Sequence, residues 1–293
     1  MADQSASNLL GPFHLMGKAN SDDSLVQVFD QKYILKRFHF RDINAKGARI
    51  RGGTLTLNSA VNKRLFAMHS TRSYAALFDL QDRQNVPAAV RMHQTIVEVG
   101  EAEASKFDGI DQSPSMQTSR EDTGIRAAIS KPLLALLFDQ SKGASELLQR
   151  LSCVAHLMLI LYRAHGTAFT TAQLYHDTQA TIRGTFFIVL QALAHYQGEM
   201  YLWQLGTDGL ENLFVVVRTL THSRNVDVKD LADRFGAATT VERVYREHSD
   251  WKRVSARLDG SSEHMNTGWW DKGAIGSSDV RDVDAKASWE SVR

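Results

Sequence analysis

Asp208 and Glu211 have side-chain types and a spacing that could bind a divalent metal ion. They stand three residues apart where apolar residues begin to recur at helical spacing, so both lie on one side of a predicted helix. Carboxylate oxygens are the ligands that Mg²⁺ and Mn²⁺ prefer. The same spacing is typical of a capping box, in which Asp208 accepts a backbone N–H and Glu211 reaches back to the cap. Spacing cannot choose between the two interpretations.

Asp30 is a third acidic residue at a junction between two predicted elements. It follows the β-prone segment Leu25–Phe29 and precedes the basic amphipathic stretch QKYILKRFHFRDI, which predicts a strand, an acidic junction and a helix. From position alone, Asp30 is interpreted as the N-cap of that helix.

The sequence around these acids resembles that of a known family. The segment GTDGLENLFVVVR resembles the one that carries the last catalytic acid of P-element-type transposases, with Glu211 at the third catalytic acid and Asp208 at the acidic position before it. The segment FDQKYILKRF is similar to the helix that follows the second catalytic acid, which would be Asp30. Tyr33 departs from the family, where His is commoner at that position.

The resemblance implies an α+β, predominantly helical protein with a partial RNase H-like core interrupted by a large all-α insertion. Asp30 and Glu211 would be the metal ligands and, with Asp208, the catalytic residues, and Mg²⁺ or Mn²⁺ the cofactor of any retained activity. The region of the first acid and the zinc-finger domain of the family are missing. We therefore expect a truncated, catalytically impaired remnant of a DNA strand-transferase. The alternative is a non-enzymatic helical interaction or DNA-binding module, in which the acids only cap helices.

Basic residues are dense after Asp30, although 34 basic and 33 acidic residues leave a net charge of only +1. Any DNA contact therefore needs a local basic surface. Such cations usually form a solvated helix face, and alternatively they face a phosphate backbone. The candidates are Lys32, Lys36, Arg37, Arg41, Arg49 and Arg51, with Arg218 two turns after Glu211.

The elements that would position these residues follow from composition and periodicity. We predict a loose leader at 1–23, core segments at 24–59 and 198–258, a helical insertion at 60–197 and a disordered tail at 259–293. A strand or an extended entry segment is predicted at Met200–Leu205, and a strand or hairpin at Ile50–Leu57. Residues 105–121 are the predicted internal loop. No Walker-type loop occurs, so no residue is assigned to nucleotide binding.

Composition indicates the cellular compartment in which the protein is expected. The single cysteine, Cys153, excludes an internal disulfide and is interpreted as a small buried apolar residue. The longest apolar run is too short to span a membrane, and the N-terminal residues do not have the pattern of a secretory signal. We expect an intracellular protein, nuclear or cytoplasmic, with DNA as its partner by resemblance. The sequence leaves homo-oligomer formation open.

Overall fold

The structure is a computed structural model, and the chain divides into two compact units. The first comprises residues 1–205 and 264–293, and the second comprises residues 206–263. The residues that the structure describes are 28–51, 57–69, 74–79, 81, 85–107, 113–139, 141–195, 198–202, 205–206, 208–220, 227–248 and 276–291. The predicted leader at 1–23 lies outside these ranges.

The described residues are predominantly helical, as predicted. The first unit contains α1 to α6 and α9, and the second contains α7 and α8. Their bounds are α1 Gln31–Asp42, α2 Ser59–His69, α3 Val86–Glu101, α4 Pro114–Phe138, α5 Ala144–His165, α6 Ala172–His195, α7 Asp208–Thr219, α8 Val228–Glu247 and α9 Ala285–Glu290. Helix α4 begins within the stretch predicted as a loop, so that loop prediction is wrong from Pro114 onward.

No β-strand is assigned within the described ranges, so the strand interpretation of the segment from Met200 is wrong for its described residues, and the extended-segment interpretation stays a prediction. Two isolated antiparallel bridges occur instead, Ala48 with Leu57 and Glu199 with Asp279. The second bridge is short because its partner segment turns into a 3-10 helix at Val280. Residues 25–27 of the strand predicted before Asp30 lie outside the described ranges, and no strand is assigned at the rest of that segment.

The turn between α1 and the first bridge depends on a glycine. Gly47 has a φ of +57°, a left-handed conformation that glycine adopts without steric cost. A Cβ atom built there would lie 2.2 Å from the carbonyl oxygen of Leu57. Glycine at this position therefore allows the chain to pass close to Leu57 and form the bridge.

Helix α1 is part of the main hydrophobic core. Its residues Ile34, Leu35 and Phe38 are at most 2% exposed and belong to one apolar cluster with α3, α4, α5 and α6. The residues assigned to a core segment at 24–59 and to an insertion at 60–197 therefore share one core. The core does not divide at the predicted boundary between residues 59 and 60.

Helices α3 and α4 pack closely at Gly100. A Cβ atom at this position would lie 2.7 Å from the Cβ of Ala127, so glycine permits the approach of the two helices. This packing places the long side chain of Arg126 in the core beside α1, where it lies over the ring of Phe38 at 4.5 Å from the centroid.

The C-terminal residues 276–291 are ordered and packed, unlike the disordered tail expected for 259–293. Trp289 on α9 is buried against α5 and α6, its ring centroid 4.5 Å from that of His156 and 5.5 Å from that of Phe186. The backbone N–H of Ala144 donates to the carbonyl of Ser277. Residues 259–275, which include Trp269 and Trp270, lie outside the described ranges.

Helix α5 is long and apolar enough to cross a membrane by length and composition, although 56% of its most apolar window is buried within the protein. Its inward residues Leu148, Leu151 and Val154 are fully buried in the main core. Cys153 is exposed, which corrects its prediction as a buried residue. It lies on the outward face of α5 with Ile160, seven residues and two helical turns further on.

The second unit is a pair of helices with its own small core. Val216 and Val217 of α7 and Ala238 of α8 are buried together, with Leu213 and Leu231 packed against them. Asp227 caps α8, because its Oδ1 accepts the N–H of Asp230 at 2.8 Å.

Candidate nucleic-acid interface

Asp30 caps α1, as its position in the sequence predicts. Its Oδ1 accepts the backbone N–H of Lys32 at 2.9 Å, and its carbonyl accepts the N–H of Ile34 at 3.1 Å. The carboxylate therefore satisfies one of the N–H groups that the first turn of a helix leaves without an intrahelical partner.

The other two candidate acids lie in the second unit. Helix α7 begins at Asp208 and includes Glu211, but the side chains of both residues lie outside the described part of the structure. Arg218 lies in the last turn of α7 and is exposed. Asp30 belongs to the first unit, so the acids assigned to one metal site come from both units.

A two-metal site needs at least three ligating side chains close together. Among the described residues, no group of three or more His, Cys, Asp or Glu side chains could hold a metal ion. Of the three candidate acids, Asp30 is the one whose side chain lies in the described ranges, and its carboxylate accepts a backbone N–H. The described side chains alone therefore form no such site, and those of Asp208 and Glu211 lie outside the described part of the structure.

Several of the cations predicted to face DNA have partners within the protein. Arg37 pairs with Asp177 of α6, and Arg51 pairs with Glu121 and Asp122 of α4. At Arg49 the bond to a distant segment is made by the backbone, whose N–H donates to the carbonyl of Ala168. These contacts join segments that are far apart in the chain, which local patterns do not reveal.

Lys32, Lys36, Arg37 and Arg41 lie on α1 with their side chains partly exposed. The Nζ of Lys36 lies 5.7 Å from the ring centroid of Tyr33, and the guanidinium of Arg37 lies 5.4 Å from it. This ring therefore holds two cations beside each other by cation–π attraction. The result is a local basic surface on a protein whose net charge is close to zero.

A cleft of about 440 Å³ lies between this surface and the start of α6. Three of its lining residues are cationic, and none of the described residues that line it is Asp or Glu. Its lining residues are Tyr33, Lys36, Arg37, Phe40, Arg41, Asn44, Thr170, Thr171 and Leu174. The cleft therefore has the charge that attracts an anion.

Arg41 connects α1 to the chain just before α6. Its Nη2 donates to the carbonyls of Thr167 at 3.1 Å and Ala168 at 2.6 Å, while its Nε is buried without a hydrogen-bond partner. Burial lowers the pKa of Arg41 from its usual value, and the nearby Asp42 opposes that shift. An arginine with so high a normal pKa remains charged.

The start of α6 adds a second source of positive potential to the cleft. Thr171 Oγ1 accepts the N–H of Leu174 at 3.2 Å, and Thr171 O accepts that of Tyr175 at 3.0 Å. The N-terminus of a helix carries a partial positive charge and N–H donors that point outward, which suits anions. Thr170, fully buried, lines the cleft with an Oγ1 that has no hydrogen-bond partner.

A buried polar network fixes α1 at its other end. Asp42 accepts from Arg126 through two hydrogen bonds, at 3.2 Å from Nε and 2.9 Å from Nη2, and both side chains are 2% exposed. Arg126 also donates to Ser130 Oγ at 2.9 Å. His93 Nδ1 lies 3.0 Å from that hydroxyl, and its Nε2 lies 3.0 Å from the carbonyl of Leu35.

Local sequence patterns do not indicate this network, or the position of Thr170 and Thr171 beside α1. The one signal for Arg126 is a charged residue between apolar positions of a predicted helix, a pattern that fits an exposed residue equally well.

Comparisons with protein-family models, with curated proteins and with solved structures found no match to this chain.

Proposed function

We propose that this chain is a non-catalytic, transposase-derived helical module that binds DNA through the basic surface of α1. The supporting observation is the convergence of Lys36, Arg37 and Arg41 on one cleft that is lined by no described acidic side chain. A duplex presents closely spaced phosphates, and cations on one helix face match such a row.

The ancestry in this proposal rests on sequence motifs alone. The resemblance to P-element-type transposases is carried by Asp30 with the helix after it, and by Asp208 and Glu211 with Arg218. The Asp30 carboxylate accepts the backbone N–H of Lys32 as a helix cap, which fits a binding role without metal chemistry. RNase H-like ancestry of the fold is part of the proposal, whereas Mg²⁺ or Mn²⁺ binding belongs to the alternative, a catalytically impaired remnant that keeps a metal site.

Phosphate binding on α1 depends on the long, partly exposed side chains of Lys32 and Lys36. Removing both cations should weaken binding of a short duplex about tenfold or more at low salt, since each phosphate contact contributes to affinity. The measurement is a fluorescence anisotropy titration of labelled duplex DNA with the wild type and with Lys32→Ala/Lys36→Ala.

The matched control is Lys286→Ala, which removes an exposed lysine from α9. This variant should bind DNA as the wild type does. Equal affinities for the wild type and the double variant would show that α1 is not the DNA-binding surface, and the DNA-binding proposal would then be abandoned.

A further inference from the structure

We propose that the cleft between α1 and the start of α6 binds a phosphate monoester. This group occurs at the 5′ end of a DNA strand and on small organic phosphates. Where DNA is the source of the monoester, this inference rests on the proposed function. It deepens that function because it names the chemical group that the cleft binds.

This inference rests on two buried polar atoms that have no hydrogen-bond partner. Thr170 is fully buried and lines the cleft, and neither its Oγ1 nor the Nε of Arg41 has a hydrogen-bond partner. A buried donor without a partner is costly, and such groups in proteins call for an explanation. Both atoms are donors, and both belong to residues that line the cleft.

The kinds of donor around the cleft suit phosphate better than a carboxylate. The start of α6 supplies helix N–H donors and a partial positive charge, and Lys36 and Arg37 line the same cleft. A set of donors from two helices and a loop suits an anion with several oxygens arranged around one atom. A planar carboxylate has only two such oxygens.

Charge and oxygen count separate a monoester from the phosphodiester of an intact strand. A monoester carries a charge of about −1.5 to −2 near neutral pH and has three free oxygens, whereas a diester has one charge and two free oxygens. Three cations line the cleft, so the more highly charged group gains more from binding there.

The rest of the cleft can hold the organic part of such a ligand. Its volume of about 440 Å³ exceeds what a phosphate group needs and is typical of a small-molecule site. Tyr33 and Phe40 line it, and Tyr33 is 43% exposed. Aromatic side chains can stack against a sugar-linked base or another ring.

The test compares one short duplex with a 5′-phosphate or a 5′-hydroxyl, and adds phenyl phosphate as a small probe. The wild type should bind the phosphorylated duplex about tenfold more tightly, as expected for an added charge-assisted hydrogen bond. Thr170→Val removes the hydroxyl at nearly constant shape. It should reduce the preference below about twofold.

Thr170→Ser is the matched control, because it keeps the hydroxyl and should keep the preference. Thermal unfolding of each variant checks that the protein is folded. If both duplexes bind equally and phenyl phosphate does not bind, the inference is overturned while the DNA-binding proposal stands.

The opposite outcome separates the two proposals. If neither duplex binds but phenyl phosphate binds to the wild type and not to Thr170→Val, DNA binding fails and the monoester site stands with a small organic phosphate as its ligand. If no probe binds, both proposals are overturned.

Discussion

Arg37 of α1 and Asp177 of α6 form an ion pair that joins two helices across 140 residues of sequence. Their side chains are only 19% and 11% exposed, so solvent screens the pair less than it screens a surface pair. Arg37 also lines the cleft. Asp177 therefore both holds α1 against α6 and offsets part of the positive charge at the proposed DNA-binding surface.

Asp177→Asn should strengthen DNA binding while slightly weakening the fold. The variant removes one negative charge near the cleft, an effect of about 1 kcal/mol, so the Kd for a short duplex should fall by about threefold to tenfold. Loss of a charged hydrogen bond should lower the free energy of unfolding by about 1–2 kcal/mol. Anisotropy titration and urea unfolding measure the two effects, and weaker DNA binding by a folded variant would contradict the proposed surface.

Arg126→Met should be strongly destabilising, because it leaves the carboxylate of Asp42 buried without its charged partner. We expect a loss of about 3–5 kcal/mol in the free energy of unfolding, measured by urea denaturation. Replacing both partners, with Asp42→Leu/Arg126→Met, should recover much of that loss because no unpaired charge remains.

An exposed ion pair provides the comparison for the buried one. Lys131 and Glu101 are paired with side chains that are 39% and 52% exposed, so Lys131→Met should cost less than about 1 kcal/mol. A similar cost for Lys131→Met and Arg126→Met would show that burial of the Asp42 pair has no energetic consequence.

Stability should fall as the pH falls below about 6.5 because of two buried histidines. A carbonyl only accepts hydrogen bonds, so the Nε2 of His93 and of His39 carry the protons donated to Leu35 and Leu77. Burial lowers the pKa of His93 well below its usual value, with repulsion from Arg126 as a second cause. Burial also lowers the pKa of His39, although the Leu77 carbonyl and Asp42 oppose that shift.

The direction of this pH dependence follows from proton binding by the folded and the unfolded protein. Below the unfolded histidine pKa of about 6.5, the unfolded chain takes up protons that the folded protein does not, so each group costs up to about 1.4 kcal/mol per pH unit. Urea unfolding at about pH 7.5 and about pH 5.5 measures the loss. His93→Gln should reduce the pH dependence, whereas His176→Gln, at an exposed position on α6, should leave it unchanged. Equal stability at the two pH values would contradict this account.

Asp30 can be tested as a cap and as a metal ligand with one pair of variants. Asp30→Ala should cost about 1 kcal/mol through loss of the cap, whereas Asp30→Ser keeps a capping oxygen and should cost much less. Calorimetric titration with Mg²⁺ should give the same result for wild type and Asp30→Ser. Binding to the wild type that is lost in Asp30→Ser, and equally in Glu211→Ala, would support a surviving metal site.

The sequence predicted local structure more fully than it predicted the cleft. Helix α5, Ala144–His165, lies within the helical insertion predicted at 60–197, because apolar periodicity and flanking glycines indicate a helix directly. The caps at Asp30 and Asp227 were likewise predictable, since a cap depends on neighbouring residues only. The basic character of α1 was also evident from its composition.

Local sequence patterns do not indicate which distant segments of the chain are in contact. Nothing near Arg37 in the sequence indicates that its partner is Asp177, and nothing near Thr170 indicates that it lies beside α1. Trp289 was placed in a disordered tail because its neighbours are polar, yet it packs on α5 and α6. One aromatic ring meeting an apolar surface can anchor a short helix, a contact that depends on tertiary structure.

The salt dependence of DNA binding tests the central claim most directly. Plots of log Kd against log salt concentration should be compared for the wild type and Lys32→Ala/Lys36→Ala. If both lysines contact phosphates, the double variant should have a slope smaller in magnitude by about 1.8, since each phosphate contact on duplex DNA contributes about 0.9. Identical slopes for the two proteins would contradict the claim that α1 binds the DNA backbone.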